Sequence, residues 1–348
     1  MTKLFIIGAT GFIGGDALYT IAHAHPEYEI TALVRNSDKG AQVASQYAKV
    51  KLVYGDLDSH DLIVEEAKKA DIVCNFANAD HEGAAKSIIA GLSQRPLTSP
   101  PFYIHTSGTG NLTHADLSIR SFGNPSTKIH DDTTNLPTVL SLPAPSLHTN
   151  VDRIVLAAPS PIKQAIVCPP TIYGQGRGPA NQRSLQLPGL AHVTLQRGKG
   201  FMVGEGRNLW CGVHVHDLSA LYLLLVEAAA AGGGNATWGS EHGFYFAENG
   251  EFAWGDVSRA VAREACKRGL IADEEVESLG EEEVEGLFEG GSYAWGTNSR
   301  SRALRARELL GWHPGMESLW ETVGDVVEAE AKALGLVRGH AVEAAGSA

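Results

Sequence analysis

Lys3-Leu4-Phe5-Ile6-Ile7-Gly8-Ala9-Thr10-Gly11-Phe12-Ile13-Gly14-Gly15 is the stretch that decides the fold of this chain. Its apolar run is typical of a buried parallel strand, and the amphipathic segment that follows predicts a helix to about His25. Glycines at Gly8, Gly11 and Gly14 let a phosphate group approach the N–H groups of the helix N-terminus, where the helix dipole favours negative charge. The stretch therefore predicts a dinucleotide site, although such a turn also occurs as a plain connector.

The second strand-like run, Ile30–Val34, is followed by residues that suit a phosphate on the adenosine ribose. Arg35 comes directly after the run, and Asn36 and Lys39 lie just beyond it. An acidic residue in this region binds a free 2′-hydroxyl, whereas the planar guanidinium of Arg35 suits a 2′-phosphate. We therefore expect NADP, with NAD as the less favoured cofactor. The alternative is that Arg35 is an ordinary solvated charge at a strand end.

Two further strand-like runs end in short motifs. Lys51–Tyr54 leads into Gly55-Asp56-Leu57, and Asp71–Phe76 leads into Ala77-Asn78-Ala79. With the glycine turn, these motifs resemble the extended short-chain dehydrogenase/reductase family, the NAD(P)-binding epimerases, dehydratases and reductases. The resemblance implies that Asp56 and Leu57 lie near the adenine and Ala77 near the ribose. The rest of the predicted cofactor site comprises Gly8, Thr10, Gly11, Phe12, Ile13, Gly14, Arg35, Asn36, Lys39, Thr106 and Pro169.

The resemblance covers nearly the whole chain, to about residue 335. Phe102–Gly108 resembles the fifth strand and its serine-bearing turn, and Ile166–Gly174 resembles the sixth strand with a Pro-x-x-x-Tyr-Gly segment. Val213–Leu218 matches a Val-His-Val-x-Asp-Leu stretch, and Leu309–Pro314 resembles the Gly-Trp-x-Pro stop. These motifs imply an α/β fold, a doubly wound parallel (Rossmann) sheet of about seven strands with a smaller C-terminal substrate lobe.

The length and composition favour one integrated unit with two lobes. A chain of 348 residues that is 43% hydrophobic can bury a full sheet and a smaller lobe. We expect residues 1–170 to form the dinucleotide-binding domain, with 213–247 returning to it. Residues 171–212 and 248–335 are expected to form the substrate lobe, and 336–348 a tail.

The residue pair that carries the family's proton chemistry is absent. In the family, a Tyr and a Lys four residues later precede the sixth strand; here His148 stands at the Tyr position and Asp152 at the Lys position. Histidine changes charge near neutral pH and can act as general acid or base, and Asp152 orients it only if the helix brings both onto one face. Hydroxyl groups at Ser107 and Tyr173 complete the predicted catalytic set of Ser107, His148 and Tyr173.

Charge and cysteine usage limit the partners. A formal net charge of −12 argues against nucleic acid or an anionic membrane surface, and no apolar run approaches the roughly 20 residues that cross a bilayer. We expect a cytoplasmic protein with reduced cysteines. No metal is expected, because His214 and His216 have no third ligand nearby in sequence.

The leading functional hypothesis is an NADP-dependent oxidoreductase that acts on a small carbonyl or alcohol substrate. Two alternatives stay open, because the fold alone does not specify the chemistry. One is a non-catalytic NAD(P)-binding redox sensor or regulator; the other is a non-redox epimerase, dehydratase or isomerase. The expected partner is a small-molecule substrate, and the sequence leaves a homodimer open.

Overall fold

A computed structural model describes residues 1–96, 99–143 and 146–337. Its strands are β1 (Lys3–Ile7), β2 (Glu29–Val34), β3 (Lys51–Tyr54), β4 (Ile72–Asn75), β5 (Phe102–Thr106), β6 (His130–Asp131), β7 (Lys163–Cys168), β8 (Thr171–Tyr173), β9 (Gly200–Val203), β10 (Leu209–His214), β11 (Phe244–Phe246), β12 (Glu251–Ala253), β13 (Val276–Leu279) and β14 (Ser301–Arg302). Its helices are α1 (Phe12–Ala24), α2 (Ser37–Gln46), α3 (His60–Lys69), α4 (Glu82–Ser93), α5 (His114–Ile119), α6 (Leu136–Leu140), α7 (Thr149–Leu156), α8 (Gln186–Arg197), α9 (Val215–Ala230), α10 (Trp254–Lys267), α11 (Glu281–Leu287), α12 (Gly291–Gly296), α13 (Leu304–Leu310) and α14 (Leu319–Ala333).

Seven parallel strands form the central sheet, in the order β3-β2-β1-β4-β5-β7-β11. A parallel sheet needs cover on both faces, and its central strands are accordingly apolar and buried. The helices that cover it pack in two groups, α1 with α9, and α4 with α3 and α7. The predicted doubly wound α/β fold is therefore confirmed. No helix among the described residues is both long and apolar enough to cross a membrane.

The strand order reverses between β1 and β4. The chain leaves β1 toward β2 and β3, then returns to place β4 on the other side of β1. The turns after these two strands therefore diverge and leave a crevice at the carboxyl edge of the sheet. Ligands of doubly wound folds bind in crevices of this kind.

A second hydrophobic core lies outside the central sheet. The strands β12, β10 and β8 form one small sheet and β13 and β9 another, and α8, α10 and α14 pack together beside them. Three large side chains of this core, Phe201, Trp254 and Trp295, are almost fully buried.

The C-terminal part of the chain divides between the two cores differently from the expectation. Ala303, Ala306 and Trp312, expected in the substrate lobe, pack into the core of the central sheet instead. The indole N–H of Trp312 donates to the carbonyl of Asp217 on α9, which anchors this segment. Of the expected tail, residues 338–348 lie outside the described part of the chain.

The turn between β1 and α1 is held by a very close approach of backbone to backbone. Gly8 has a φ of +94°, and a Cβ there would lie 2.8 Å from the amide nitrogen of Ala77. A Cβ at Gly14 would overlap the carbonyl oxygen of Gly8 and stand 2.8 Å from the Cβ of Phe76. Gly14 is therefore needed for α1 to pack on the sheet, and its contribution to a cofactor site is indirect.

Replacing Gly14 by Ala should lower the free energy of unfolding by about 1–3 kcal/mol, because the added methyl group overpacks the contact with Gly8. Urea denaturation of the purified protein measures this. The matched control is Gly286→Ala on α11, where a Cβ would meet nothing within 4 Å and where Ala favours the helix by about 1 kcal/mol. Equal stabilities of the two variants would contradict the close-packing account.

Candidate functional site

A cavity of about 430 Å³ opens beside the glycine turn at the crevice between β1 and β4. Seven residues of the predicted cofactor site line it: Gly8, Thr10, Gly11, Arg35, Asp56, Leu57 and Ala77. The lining also includes Phe76, Asn78 and His81, which the sequence reasoning did not assign. The residues come from the ends of β1, β2, β3 and β4, so the sheet topology brings together motifs that are far apart in sequence.

The N-terminus of α1 is free to bind an anion. Gly11 occupies the N-cap position in an extended conformation and provides no side-chain cap. The N–H groups of a first helical turn have no carbonyl partner within the helix. Here the preceding residues form a glycine turn, and Gly11 has no side chain that could bond to them. The bare helix end and the cavity fit the pyrophosphate of a dinucleotide.

One cationic and one acidic residue line the cavity where it meets the ends of β2 and β3. Arg35 is exposed at the end of β2 and lines the cavity. Asp56 accepts hydrogen bonds from the Ser59 hydroxyl (2.9 Å) and the Asp58 N–H (3.0 Å), and the first of these bonds contributes most to lowering its pKa. The Asp56 carboxylate is thus partly used in shaping the loop before α3.

Several residues predicted to contact the cofactor make hydrogen bonds within the fold and do not line this cavity. Asn36 caps α2 by accepting a hydrogen bond from the backbone N–H of Lys39 at 3.0 Å, and neither residue is part of the cavity lining. The buried hydroxyl of Thr106 is bonded to the Tyr222 hydroxyl at 2.7 Å, because the side chain faces the core between sheet and α9. The carbonyl of Pro169 accepts from the Thr109 N–H.

A larger cavity of about 700 Å³ lies between the two lobes. Phe12 and Ile13, from the predicted cofactor set, line it on one side, and Tyr293 and Trp295 of α12 line it on the other. Phe76 lines both cavities. The two cavities therefore adjoin at Phe76.

His148 is held by a carboxylate that the sequence reasoning missed. Its Nδ1 lies 3.0 Å from Oδ1 of Asp80 and 3.1 Å from Oδ2, and its backbone N–H donates to the same Oδ1 at 3.0 Å. Asp80 lies in the loop after β4, 68 residues earlier. Because an ionised carboxylate only accepts hydrogen bonds, this contact assigns the proton to Nδ1 and leaves Nε2 free.

The free Nε2 of His148 points toward the turn after β5. A Cβ at Gly108 would lie 3.1 Å from this nitrogen, and a Cβ at Gly110 would lie 3.3 Å from it. The hydroxyl of Tyr293 lies against the same side of Gly110. Burial, with the nearby charge of Asp80, raises the pKa of Tyr293 to about 12. An imidazole nitrogen and a protonated phenol thus both lie against Gly110, which has no side chain to separate them.

Asp152 does not orient His148, which corrects one expectation. The hydroxyl of Ser107 donates to Oδ2 of Asp152 at 2.8 Å, and both side chains are buried. The other oxygen, Oδ1, has no hydrogen-bond partner among the described residues. Burial raises the pKa of Asp152 to about 7 despite the hydrogen bond from Ser107. Ser107 and Asp152 therefore form a buried hydroxyl–carboxyl pair, with Asp152 on α7, the helix that His148 precedes.

Tyr173, predicted to be catalytic, belongs to the second core. Its hydroxyl donates to the carbonyl of Glu317 at 3.1 Å, and burial raises its pKa to about 12. The preceding residue, Ile172, lines the larger cavity. Successive side chains of a strand point to opposite faces, so Ile172 faces the cavity and Tyr173 faces away from it.

The two histidines considered for a metal site have roles within the fold. His214 accepts a bond from the His216 N–H at 3.1 Å and so caps α9. Burial lowers the pKa of His214 to about 4, which leaves it neutral. Nε2 of His216 lies 3.0 Å from the carbonyl oxygen of Gln175. Both rings therefore fix the junction between β10 and α9.

Comparison with known proteins agrees with this geometry. A family model described as NAD(P)H-binding matches residues 8–96. A curated relative, Oxidase ucsJ of Acremonium sp., is 36% identical over 344 residues, which covers 96% of this chain and 99% of the relative. This match extends over both lobes.

Solved structures share the whole fold at low sequence identity. UDP-glucose 4-epimerase from Thermotoga maritima superposes with a TM-score of 0.61 at 13% identity, covering 96% of this chain and 100% of the epimerase. dTDP-glucose 4,6-dehydratase from Bacillus anthracis, in complex with NAD, superposes with a TM-score of 0.63 at 15% identity, covering 96% of this chain and 97% of the dehydratase. The full-length relative, the matched NAD(P)H-binding segment and the shared fold show that this chain belongs to the extended short-chain dehydrogenase/reductase family.

Proposed function

We propose that the protein is an NADP-dependent oxidoreductase that interconverts a small alcohol and its carbonyl compound. The observation that carries this proposal is the Asp80–His148 pair, which presents a free imidazole nitrogen against Gly110, where the hydroxyl of Tyr293, a residue that lines the larger cavity, also lies. The relative from Acremonium is named an oxidase, which favours redox chemistry over epimerisation or dehydration. The missing Tyr–Lys pair leaves a non-catalytic NADP(H) sensor as the second candidate.

NADP(H), when bound, supplies the hydride acceptor or donor. The chain would hold the pyrophosphate with the N–H groups at the start of α1 and the 2′-phosphate with Arg35. Phe76, at the boundary of the two cavities, would separate the cofactor's binding region from the substrate cleft. These contacts orient the cofactor along the carboxyl edge of the sheet.

His148 is the proposed proton-transfer group. With its Nδ1–H bonded to Asp80, the neutral ring carries a lone pair on Nε2 that accepts the hydroxyl proton of an alcohol substrate. In the reverse direction the imidazolium gives this proton to the carbonyl oxygen. Asp80 fixes the orientation of the ring, and its second hydrogen bond, from the backbone N–H of His148, holds the carboxylate at the start of α7.

Asp152 controls what Ser107 can offer to a substrate oxygen. An ionised Asp152 accepts the hydrogen bond that the Ser107 hydroxyl donates, so that this hydroxyl presents only lone pairs to a substrate. A protonated Asp152 can instead donate to Ser107 and free that hydroxyl to donate to a carbonyl oxygen. Because the pKa of Asp152 is raised to about 7, both states are accessible near neutral pH.

Changing His148 to Ala should lower turnover by about a hundredfold or more, the usual scale of general acid–base help. NADPH consumption with a panel of aldehydes and ketones measures turnover, and calorimetry with NADPH measures cofactor affinity, which should be little altered. Asp80→Asn should reduce turnover in the same direction, since an amide no longer fixes the tautomer.

The exposed His242 provides the matched control, because His242→Ala removes an imidazole far from the crevice. Unchanged turnover in His148→Ala would remove this residue from the mechanism. NADPH binding without turnover across the whole panel would favour the sensor.

Arg35→Asp should weaken NADP(H) binding by roughly ten- to a hundredfold, the scale of a hydrogen-bonded ion pair, while NAD(H) affinity stays within about threefold. Calorimetry with both cofactors decides this. Arg263→Asp, a charge reversal at an exposed position of α10, is the control. Wild-type preference for NAD(H), or an unchanged ratio in the variant, would show that Arg35 is a solvated charge.

The free energy of unfolding of the Asp152→Asn variant, minus that of the wild type, should increase as pH rises from about 4 to about 7. The unfolded chain loses the Asp152 proton near its ordinary pKa of 3.8, whereas the folded chain keeps it until about 7, so ionisation costs the wild type stability in this window. Urea unfolding of both proteins across the window measures the difference. A difference independent of pH would contradict the raised pKa.

A further inference from the structure

We propose that the cleft between the lobes accepts an uncharged aromatic or otherwise apolar carbonyl compound, and not a nucleotide sugar. This inference rests on the proposed function and adds the substrate class to it. Solved structures of the same fold include a UDP-glucose epimerase and a dTDP-glucose dehydratase, so the fold alone leaves a nucleotide sugar open. The residues that line the cleft of this chain decide between the two classes of substrate.

Aromatic side chains form both walls of the cleft. Phe12 and Phe76 line it from the nucleotide side, and Phe288, Tyr293 and Trp295 line it from the second lobe. The rings of Phe288 and Trp295 lie 4.9 Å apart. Such walls bury flat apolar groups well, because aromatic faces offer a large contact area at low conformational cost.

Two polar groups in the cleft wall, the Gln186 side chain and the Trp295 indole N–H, are already bonded within the protein. The side chain of Gln186 accepts from the Thr171 hydroxyl at 2.9 Å and donates to the Ala294 carbonyl at 3.0 Å. The indole N–H of Trp295 donates to the backbone carbonyl of Gln186. A sugar buries several hydroxyl groups that need partners, and these engaged groups cannot provide them without breaking existing bonds.

The charge in the cleft does not suit a diphosphate. Arg183 is the only Lys or Arg among the described lining residues, and its Nε donates to Oε1 of the buried Glu330 at 2.6 Å. The exposed carboxylate of Glu289 also lines the cleft. A nucleotide sugar would bring two phosphate charges to a cation already paired and to a second carboxylate, so an uncharged molecule fits better.

The mouth of the cleft carries an exposed large apolar side chain. Leu185 lines the cleft and is 67% exposed, which costs hydration free energy that an apolar ligand would recover. Leu185 directly precedes α8, beside Gln186. The apolar surface thus extends from the boundary at Phe76 to the solvent.

Calorimetry in the presence of NADP⁺ tests the substrate class. The probes are 2-naphthaldehyde, UDP-glucose and dihydroxyacetone; NADP⁺ has no hydride to give the carbonyl, so the measurement reports binding alone. We expect 2-naphthaldehyde to bind at least about tenfold more tightly than either other probe. Tighter binding of UDP-glucose, or no 2-naphthaldehyde binding up to its solubility limit, would overturn the inference.

Two variants locate the binding. Phe288→Ala and Leu185→Asp should each weaken 2-naphthaldehyde binding by about tenfold, and Leu185→Asp changes an exposed side chain, so it keeps the test valid if Phe288→Ala fails to fold. Leu309→Ala on α13, also partly exposed, is the control. Unchanged affinity in the folded cleft variants would overturn the inference. Binding without NADPH consumption would contradict the proposed function only.

Discussion

The structure depends on the contact between the start of α1 and the end of β1. Gly14 packs directly on the carbonyl of Gly8, and Gly8 packs on the backbone after β4, so three segments meet without intervening side chains. This contact fixes the helix end at the switch point of the sheet with its N–H groups bare. The dinucleotide cavity is a consequence of it, and so is the position of Phe76 between cofactor crevice and substrate cleft.

The same sheet edge also supplies the proposed acid–base group. The loop that follows Phe76 continues to Asp80, which holds His148 at the start of α7. The family ordinarily uses a tyrosine and a lysine. In this chain His148, held by Asp80, stands at the tyrosine position, and Asp152, bonded to Ser107, stands at the lysine position. A lysine beside the cofactor lowers the pKa of a tyrosine, whereas a buried carboxyl cannot. Without the lysine a tyrosine would keep a high pKa, so the change of the lysine to Asp152 is consistent with the change of the tyrosine to His148.

Local sequence signals predicted the sheet, the glycine turn and half of the residues that line the crevice, because each of these depends on residues adjacent along one strand and its following turn. Contacts between distant segments were not predictable in this way. Asp80 and His148 are separated by 68 residues, and Tyr293 reaches Gly110 from the second lobe. The Asn78-Ala79-Asp80 turn after β4 was the available signal, since polar residues at the carboxyl edge of a parallel sheet tend to meet. Tyr173 was misassigned because its motif gives the strand but not the face, and Thr106 because its strand end turns toward α9.

The most direct test of this account is a crystal structure of the protein with NADP⁺ bound. The account predicts the pyrophosphate at the N-terminus of α1, the 2′-phosphate on Arg35, and the nicotinamide ring next to Phe76 with its reactive carbon facing Nε2 of His148 across the space for a substrate oxygen. A nicotinamide ring on the far side of Phe76, with His148 shielded from it, or a nucleotide bound away from the glycine turn, would contradict the account.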